Sequence, residues 1–201
     1  ETEFDELLMG QGLSGAAQPI VDARTRQVVA YELLGRANHP HLPKSPMELF
    51  GLAESMDREV DLSMAFRDYG FRKIGSRLPQ HTHESAVTDT AQLRLFAARL
   101  ARLGIRFAYD DFGAGQARLL ELADVPPHFV KFDMSLIRSL HKASERKRQV
   151  VRDLVKMVLA AGSVPLAEGV EDEDEARICV EMGFQLIQGY HTGRPLQIDA
   201  L

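Results

Sequence analysis

The second half of the chain alternates between helical and strand-like stretches, and this alternation limits the folds that the sequence can adopt. Apolar residues recur with helical spacing over 88–103, around 151–158 and over 173–182. Strand-like runs lie between these helices, over 105–109, 129–133, 164–168 and 184–188. Strands that alternate with helices predict parallel βαβ units, so we expect an α/β fold.

Polar residues stand at or just beyond the carboxyl end of each predicted strand. They are Asp110, Asp111, Lys131, Asp133, Glu168, Glu171 and Gln188. In a (β/α)₈ barrel the carboxyl ends of all strands converge on one mouth. The pattern therefore predicts a TIM-like (β/α) barrel whose mouth carries several carboxylates, one lysine and one amide.

The adjacent pair Asp110–Asp111 is unusual for a strand, because neighbouring side chains of a strand point to opposite faces. Both carboxylates can serve one site only where the strand ends and the chain turns. Gly113 and Gly115 allow such a turn, since glycine enters the left-handed region freely. A solvated turn in which one aspartate caps a helix explains the pair equally well.

The first half of the chain is expected to complete the same domain. Residues 1–17 are a helical or irregular lead-in, and residues 18–201 form a single barrel domain. Strands are predicted over 18–22 and 28–34. Ser45, Pro46 and Glu48 have the pattern of a capping box at a helix start. A second helix is predicted over 62–74.

Composition excludes some classes of function. The length of 201 residues suits one domain with a full core. The net charge of −5 argues against a general nucleic-acid binder, so no DNA partner is expected. No apolar run approaches the length of a membrane span, and the single cysteine, Cys179, allows no disulfide within the chain. We therefore expect a cytoplasmic protein. The start at Glu1 rather than at a methionine favours a fused or partner regulatory domain.

The chemistry expected at such a mouth is metal-assisted hydrolysis. Adjacent carboxylate oxygens suit Mg²⁺ or Mn²⁺, and Ca²⁺ is an alternative. A two-metal site activates water and stabilises the leaving oxygen of a phosphodiester. A lysine can neutralise phosphate charge, and a nearby glutamate can act as a base.

Six short motifs then follow one another in a fixed order. They are QPIVD (18–22), YELLGR (31–36), DDFGAG (110–115), VKFD (130–133), AEGVE (167–171) and QGYHTGRP (188–195). Together they resemble the EAL domain, a bacterial family that hydrolyses cyclic di-GMP to its linear dinucleotide. Each motif alone is weak, but six in order over nearly the whole chain are specific.

The resemblance implies a role for each matched position. The implied ligands of two Mg²⁺ or Mn²⁺ ions are Glu32, Asp110 and Asp111. Lys131 matches the lysine near the attacking water, and Glu168 matches a metal ligand or base. The positions that contact the dinucleotide are Gln18, Arg36 and Gln188, with Glu171 and Glu84 in support. Two structural alternatives remain open. Arg36 can be an ordinary ion-pair partner, and Gln188 can form hydrogen bonds with backbone groups.

Two departures from the family are small. The signature is Glu-Leu-Leu at 32–34 rather than Glu-Ala-Leu, and Leu33 should point away from Glu32, so we expect altered packing rather than lost chemistry. The loop after Asp-Asp-Phe-Gly contains Gln116, Ala117 and Arg118 where the family has a serine-containing loop linked to dimerisation. A homodimer therefore remains a possibility for this chain, and its regulation can differ from that of the family.

The larger departure lies at residues 77–84, RLPQHTHE. The family has two barrel strands here, which carry an asparagine ligand and a glutamate ligand, and a second glutamate follows. Glu84 fits that second glutamate, the first falls at His81, and the asparagine strand has no counterpart. Either a segment of the natural chain is absent from this sequence, or the barrel is incomplete and degenerate. We favour the first explanation.

These observations leave three hypotheses. The leading one is a metal-dependent cyclic di-GMP phosphodiesterase. The second is a degenerate EAL-like domain that binds cyclic di-GMP or a protein partner without catalysis. The third is a barrel phosphohydrolase that acts on another phosphate ester.

Overall fold

The computed structural model describes residues 2–74, 90–102, 106–114 and 119–198. Its helices are α1 (Thr2–Leu8), α2 (Pro46–Ser55), α3 (Glu59–Ile74), α4 (Thr90–Arg102), α5 (Leu119–Asp124), α6 (Met134–Ile137), α7 (Glu145–Ala160) and α8 (Glu173–Met182). Its strands are β1 (Leu13–Asp22), β2 (Val28–Ala37), β3 (Ala108–Phe112), β4 (Phe129–Phe132), β5 (Val164–Ala167), β6 (Leu186–Gln188) and β7 (Leu196–Gln197).

The described residues form two compact units, and β1 and β2 contribute to both. The first unit draws on Glu1–Gln18, Tyr31–Pro79 and Pro195–Leu201. The second draws on Pro19–Ala30 and Gln80–Arg194, and it contains β3 to β6.

The second unit has the predicted βαβ character. Strands β3, β4, β5 and β6 are parallel neighbours in that order, and the last residues of β1 run antiparallel beside β6, with Ile20 opposite Gln188. Phe132 lies at the centre of its core, where its ring packs against Phe112 and Phe184 at centroid distances of 5.1 and 4.9 Å. The alternation seen in the sequence therefore produces a parallel α/β sheet.

The first unit has a smaller core of its own. Buried side chains of α1, α2 and α3, among them Phe4, Leu49 and Phe66, pack together. Gly35 on β2 is required for this packing, because a Cβ atom there would lie 2.2 Å from the Phe66 ring. Small residues on the strand thus allow a helix to approach closely.

Some local features differ from the sequence-based expectation. Strand β1 begins at Leu13, before the predicted start, and Phe4 in the expected lead-in is buried. Ser45 is the N-cap of α2, with Pro46 in the first turn as expected, but its side chain makes no capping hydrogen bond. The short strand β7 was not predicted, because two residues that pair with Ala16 and Ala17 leave little pattern. Within the described ranges we find no helix with the length and hydropathy of a membrane span.

Cys179 gives a direct test of the second core. It is fully buried on α8, and burial, with a smaller contribution from the charge of Glu175, raises the pKa of its thiol to about 12. Because the thiolate is the reactive form, we expect no reaction with DTNB at pH 8 in native buffer and full reaction in denaturant. Rapid labelling of the native protein would contradict this packing.

Candidate metal and catalytic site

Three neighbouring strands bring a lysine and two carboxylates into one ion-paired group. Lys131 Nζ lies 2.9 Å from Asp110 Oδ2 and 2.9 Å from Glu168 Oε1. These residues come from β3, from β4 and from the position directly after β5, which are parallel neighbours. The lysine side chain is 8% exposed, and the two carboxylates are 20% and 19% exposed. The group is therefore desolvated enough for its charges to interact strongly.

A β-bulge explains how two consecutive aspartates can face one site. On β4 the residues Val130 and Phe132 pair with Tyr109 and Phe112 of β3, so two aspartates stand opposite Lys131 alone. A bulge of this kind adds one residue to a strand and redirects its side chains. The sequence analysis expected the strand to end before the aspartates; instead β3 continues through them to Phe112, and the bulge redirects their side chains.

The backbone conformation at Asp111 also helps to turn the two aspartate side chains toward the same side. Its φ is +53°, in the left-handed region that aspartate tolerates better than most residues. The Asp111 N–H donates to Asp110 Oδ1 at 3.0 Å, and the following Gly113 has φ +99°. The chain therefore leaves β3 in a tight turn that holds both carboxylates on the same side.

The electrostatics of this turn favour a bound cation. Partial desolvation raises the pKa of Asp111, the negative charges of Asp110 and Asp133 raise it further, and Lys131 opposes them. The dominant effects all disfavour the ionised carboxylate. A divalent cation would reverse this balance by pairing directly with the negative charge.

The donor set fits Mg²⁺ or Mn²⁺. Asp110, Asp111 and Glu168 each offer a carboxylate oxygen, and these atoms lie within 4.8 Å of one another. Carboxylate oxygens are the ligands that these hard ions prefer. The family resemblance assigned the two aspartates to the metal and Glu168 to the metal or to base catalysis, and the geometry is compatible with both.

The other strand-end residues have structural partners. Asp133 caps α6, where its carboxylate accepts the Ser135 N–H at 2.9 Å. Glu171 forms an ion pair with Arg138, and this pair raises the pKa of the arginine. Gln188, at the end of β6, is only 3% exposed, and its backbone carbonyl accepts the Val170 N–H at 3.0 Å.

A buried glutamate that the sequence analysis did not single out joins two loops of this site. Glu175 is 2% exposed, and its carboxylate accepts the Ser139 N–H at 2.8 Å and the Glu171 N–H at 2.9 Å. The spacing of Asp172, the N-cap of α8, and Glu175 is that of a capping box, which could have indicated a glutamate that bonds backbone.

The remaining predicted site residues lie in the first unit or outside the described ranges. Gln18 is buried, Glu32 is half-buried on β2, and the Arg36 guanidinium donates to the Gly35 carbonyl at 2.8 Å. Their roles toward metal or dinucleotide stay predictions. Glu84, with the whole departure at 77–84, lies outside the described residues, as does the 116–118 loop.

Comparison with curated proteins shows sequence similarity to a cyclic di-GMP phosphodiesterase. It is 26% identical over 222 residues to the cyclic di-GMP phosphodiesterase RocR of Pseudomonas aeruginosa. The alignment covers 89% of this chain and 56% of RocR, so the chain spans about half of that relative. Because the alignment is longer than the chain itself, RocR contains residues that have no counterpart here.

Comparison with solved structures confirms the fold. An EAL domain protein from Listeria monocytogenes superposes with a TM-score of 0.81 at 22% identity, covering 99% of this chain and 94% of that one. Klebsiella pneumoniae BlrP1, solved as a complex with manganese and cyclic di-GMP, gives a TM-score of 0.80 at 25% identity, over 94% of this chain and 57% of BlrP1. The α/β fold expected from the sequence, in the form of an incomplete TIM-like barrel of EAL type, is therefore the fold class of this chain.

The family assignment has a sequence basis that is independent of these superpositions. The EAL domain profile matches residues 78–195, which is more than half of the chain. The matched region contains the bulge aspartates, Lys131 and Glu168, so the ion-paired group lies inside it. On this evidence the chain belongs to the EAL domain family.

Proposed function

We propose that this chain is a metal-dependent phosphodiesterase that hydrolyses cyclic di-GMP to the linear dinucleotide. The observation that carries the proposal is the group of Asp110, Asp111, Lys131 and Glu168, whose donor atoms converge at the carboxyl ends of three parallel strands. The names of RocR and BlrP1 support the choice of cyclic di-GMP as substrate.

Each residue of the group has a distinct task in this proposal. Asp110, Asp111 and Glu168 hold Mg²⁺ or Mn²⁺, with Glu32 as a further proposed ligand. When bound, such ions would acidify a water molecule and neutralise phosphodiester charge. Lys131 fixes the spacing of Asp110 and Glu168 and places a positive charge beside the phosphate. In place of the metal-ligand task, Glu168 can accept the proton that leaves the attacking water, since its carboxylate is partly exposed and preoriented by Lys131.

Substrate orientation is assigned to the positions that match the family's dinucleotide contacts. We propose that Gln18, Arg36 and Gln188 contact the dinucleotide and that Glu171 supports the site. Gln188 is the last residue of β6, which pairs with β5, the strand that leads to Glu168. A buried amide at this place can orient a phosphate or ribose oxygen by hydrogen bonds.

A second candidate function is binding of cyclic di-GMP without turnover. The observation that favours it is the sequence at 77–84, which lacks the asparagine and first glutamate that the family uses as metal ligands. A site with fewer ligands can retain a nucleotide while it fails to activate water.

One assay separates these functions. The purified chain is stripped with EDTA and incubated with cyclic di-GMP and Mn²⁺ or Mg²⁺, and the products are resolved by chromatography. We expect the linear dinucleotide only when metal is restored. Tight binding by calorimetry with no product at enzyme concentrations equal to substrate would favour the binding function. Preferential cleavage of bis(p-nitrophenyl) phosphate over cyclic di-GMP would favour a different phosphodiesterase.

A further inference from the structure

Glu175 holds an unusual position for a charged side chain. It lies in the first turn of α8, and it is 2% exposed although it carries a carboxylate. Burying a carboxylate is costly unless hydrogen bonds replace its water. Here Oε1 accepts the Ser139 N–H at 2.8 Å, and Oε2 accepts the Glu171 N–H at 2.9 Å. One side chain thus bonds the backbone of two different loops.

Both loops lie in connections that start at residues of the ion-paired group. The Ser139 loop follows α6, the short helix after β4, which carries Lys131, and the Glu171 loop begins with Glu168. The loops also touch elsewhere, because Arg138 pairs with Glu171 and a Cβ atom at Gly169 would lie 2.5 Å from Met134 Cβ. Glu175 is the buried side chain that links these two loops through its hydrogen bonds.

Helix capping does not account for these contacts. In a capping box the third helical residue bonds back to the N–H of the N-cap residue, which is Asp172 in α8. Glu175 instead reaches one residue further, to Glu171, and across to Ser139 in another loop. Ser139 adopts φ +53°, a conformation that a serine holds only when its surroundings fix it.

We propose that Glu175 is a positioning residue that fixes Glu168 relative to Lys131 by joining the loop after α6 to the loop after β5. It is not among the residues proposed to hold metal or substrate. Its effect on turnover rests on the proposed phosphodiesterase function, whereas its effect on the loops and on metal affinity does not. A small displacement of a catalytic carboxylate is enough to lower turnover strongly.

The decisive variant is Glu175→Gln, compared with Ser163→Ala. Glutamine is nearly the same size, but it keeps one acceptor and turns an NH₂ group toward a backbone N–H. The control removes another buried side-chain bond, from Ser163 Oγ to the Pro127 carbonyl at 2.6 Å, at the opposite end of β5. Both variants should lose a buried hydrogen bond. Only Glu175→Gln should increase the mobility of the loops that carry Glu168 and Ser139.

Three readouts test the proposal on the full chain. In Glu175→Gln we expect hydrogen exchange at the Ser139 and Glu171 amides to accelerate about tenfold, Mn²⁺ affinity to fall about fivefold, and kcat to fall about tenfold with KM within about twofold. In Ser163→Ala we expect the melting temperature to fall, while hydrogen exchange at the two amides, Mn²⁺ affinity and the kinetic constants stay unchanged.

The outcomes also separate this proposal from the function on which it builds. If the wild-type chain hydrolyses nothing, the phosphodiesterase proposal fails, and exchange and Mn²⁺ affinity still decide the role of Glu175. If the two amides exchange at the wild-type rate in Glu175→Gln, the loop connection is overturned. If exchange accelerates but neither Mn²⁺ affinity nor kcat moves beyond the Ser163→Ala control, Glu175 is a structural residue only.

Discussion

Replacing Lys131 with methionine is expected to lower kcat for cyclic di-GMP by roughly 10²–10³-fold, the usual effect of losing one preorganised charge or donor. Methionine fills similar space but leaves Asp110 and Glu168 without the cation that bridges them at 2.9 Å on each side. The two carboxylates then repel each other and move apart, so the metal site loses its spacing. Steady-state kinetics with saturating Mn²⁺ measures the loss.

Lys156→Met is the matched control for this variant. Lys156 pairs with Asp153 on α7 at 3.5 Å, but its side chain is 65% exposed. Surface pairs of this kind contribute little. We expect unchanged kinetics and an unchanged near-UV circular dichroism spectrum. If Lys131→Met retains more than about a tenth of wild-type kcat, the proposed role of the lysine is wrong.

Replacing Gly189 with alanine is expected to destabilise the fold by about 3 kcal/mol, near the upper end for an overpacked core. A Cβ atom at Gly189 would lie 2.0 Å from the Val170 carbonyl oxygen and 2.3 Å from the Val170 nitrogen. These are backbone atoms, so no side chain can move aside. The loop that begins with Glu168 must shift, and cyclic di-GMP hydrolysis should fall with stability.

The control for this substitution is Gly51→Ala. Gly51 lies in α2, and a Cβ atom there would meet nothing within 4 Å. Alanine should stabilise the helix there by about 0.5–1 kcal/mol. Urea denaturation curves of both variants measure the contrast. A loss below about 1 kcal/mol in Gly189→Ala would contradict the close approach of the two loops.

Much of the second unit could be predicted from the sequence because its signals are local. Helical spacing of apolar residues located α8, and Gly183 marked its end with φ +99°. The apolar runs before Lys131 and Glu168 located β4 and β5. Parallel pairing then follows from the alternation, since each connection contains a helix.

The acidic run at 171–175 shows what the sequence could not provide. Its five members look alike in sequence, but each has a different partner in the structure. The partners are Arg138 for Glu171, backbone at the start of α8 for Asp172, Arg26 and His191 for Glu173, Arg177 for Asp174, and two loop amides for Glu175. Arg138, Arg26, His191 and the Ser139 amide are distant in sequence from this run, so no local pattern indicates them.

The site residues proposed in the first unit are supported by sequence motifs rather than by observed contacts. Glu32, Arg36 and Gln18 are assigned by their matched motifs, and their roles stay predictions. Glu84 was assigned within the departure at 77–84, which lies outside the described residues, and its role stays a prediction. Metal titrations of Glu32→Gln would test the first of these assignments directly.

The bulge in β3 has a consequence for how this domain could lose its chemistry. Two aspartates occupy a space that a regular strand fills with one residue, between the buried side chains of Tyr109 and Phe112. Deleting either aspartate would restore the regular pairing of β3 with β4, and the core on both sides would keep its register. We expect such a one-codon deletion to yield a folded protein without a functional site. Natural chains of this kind can therefore become inactive through a change in length that leaves their fold intact.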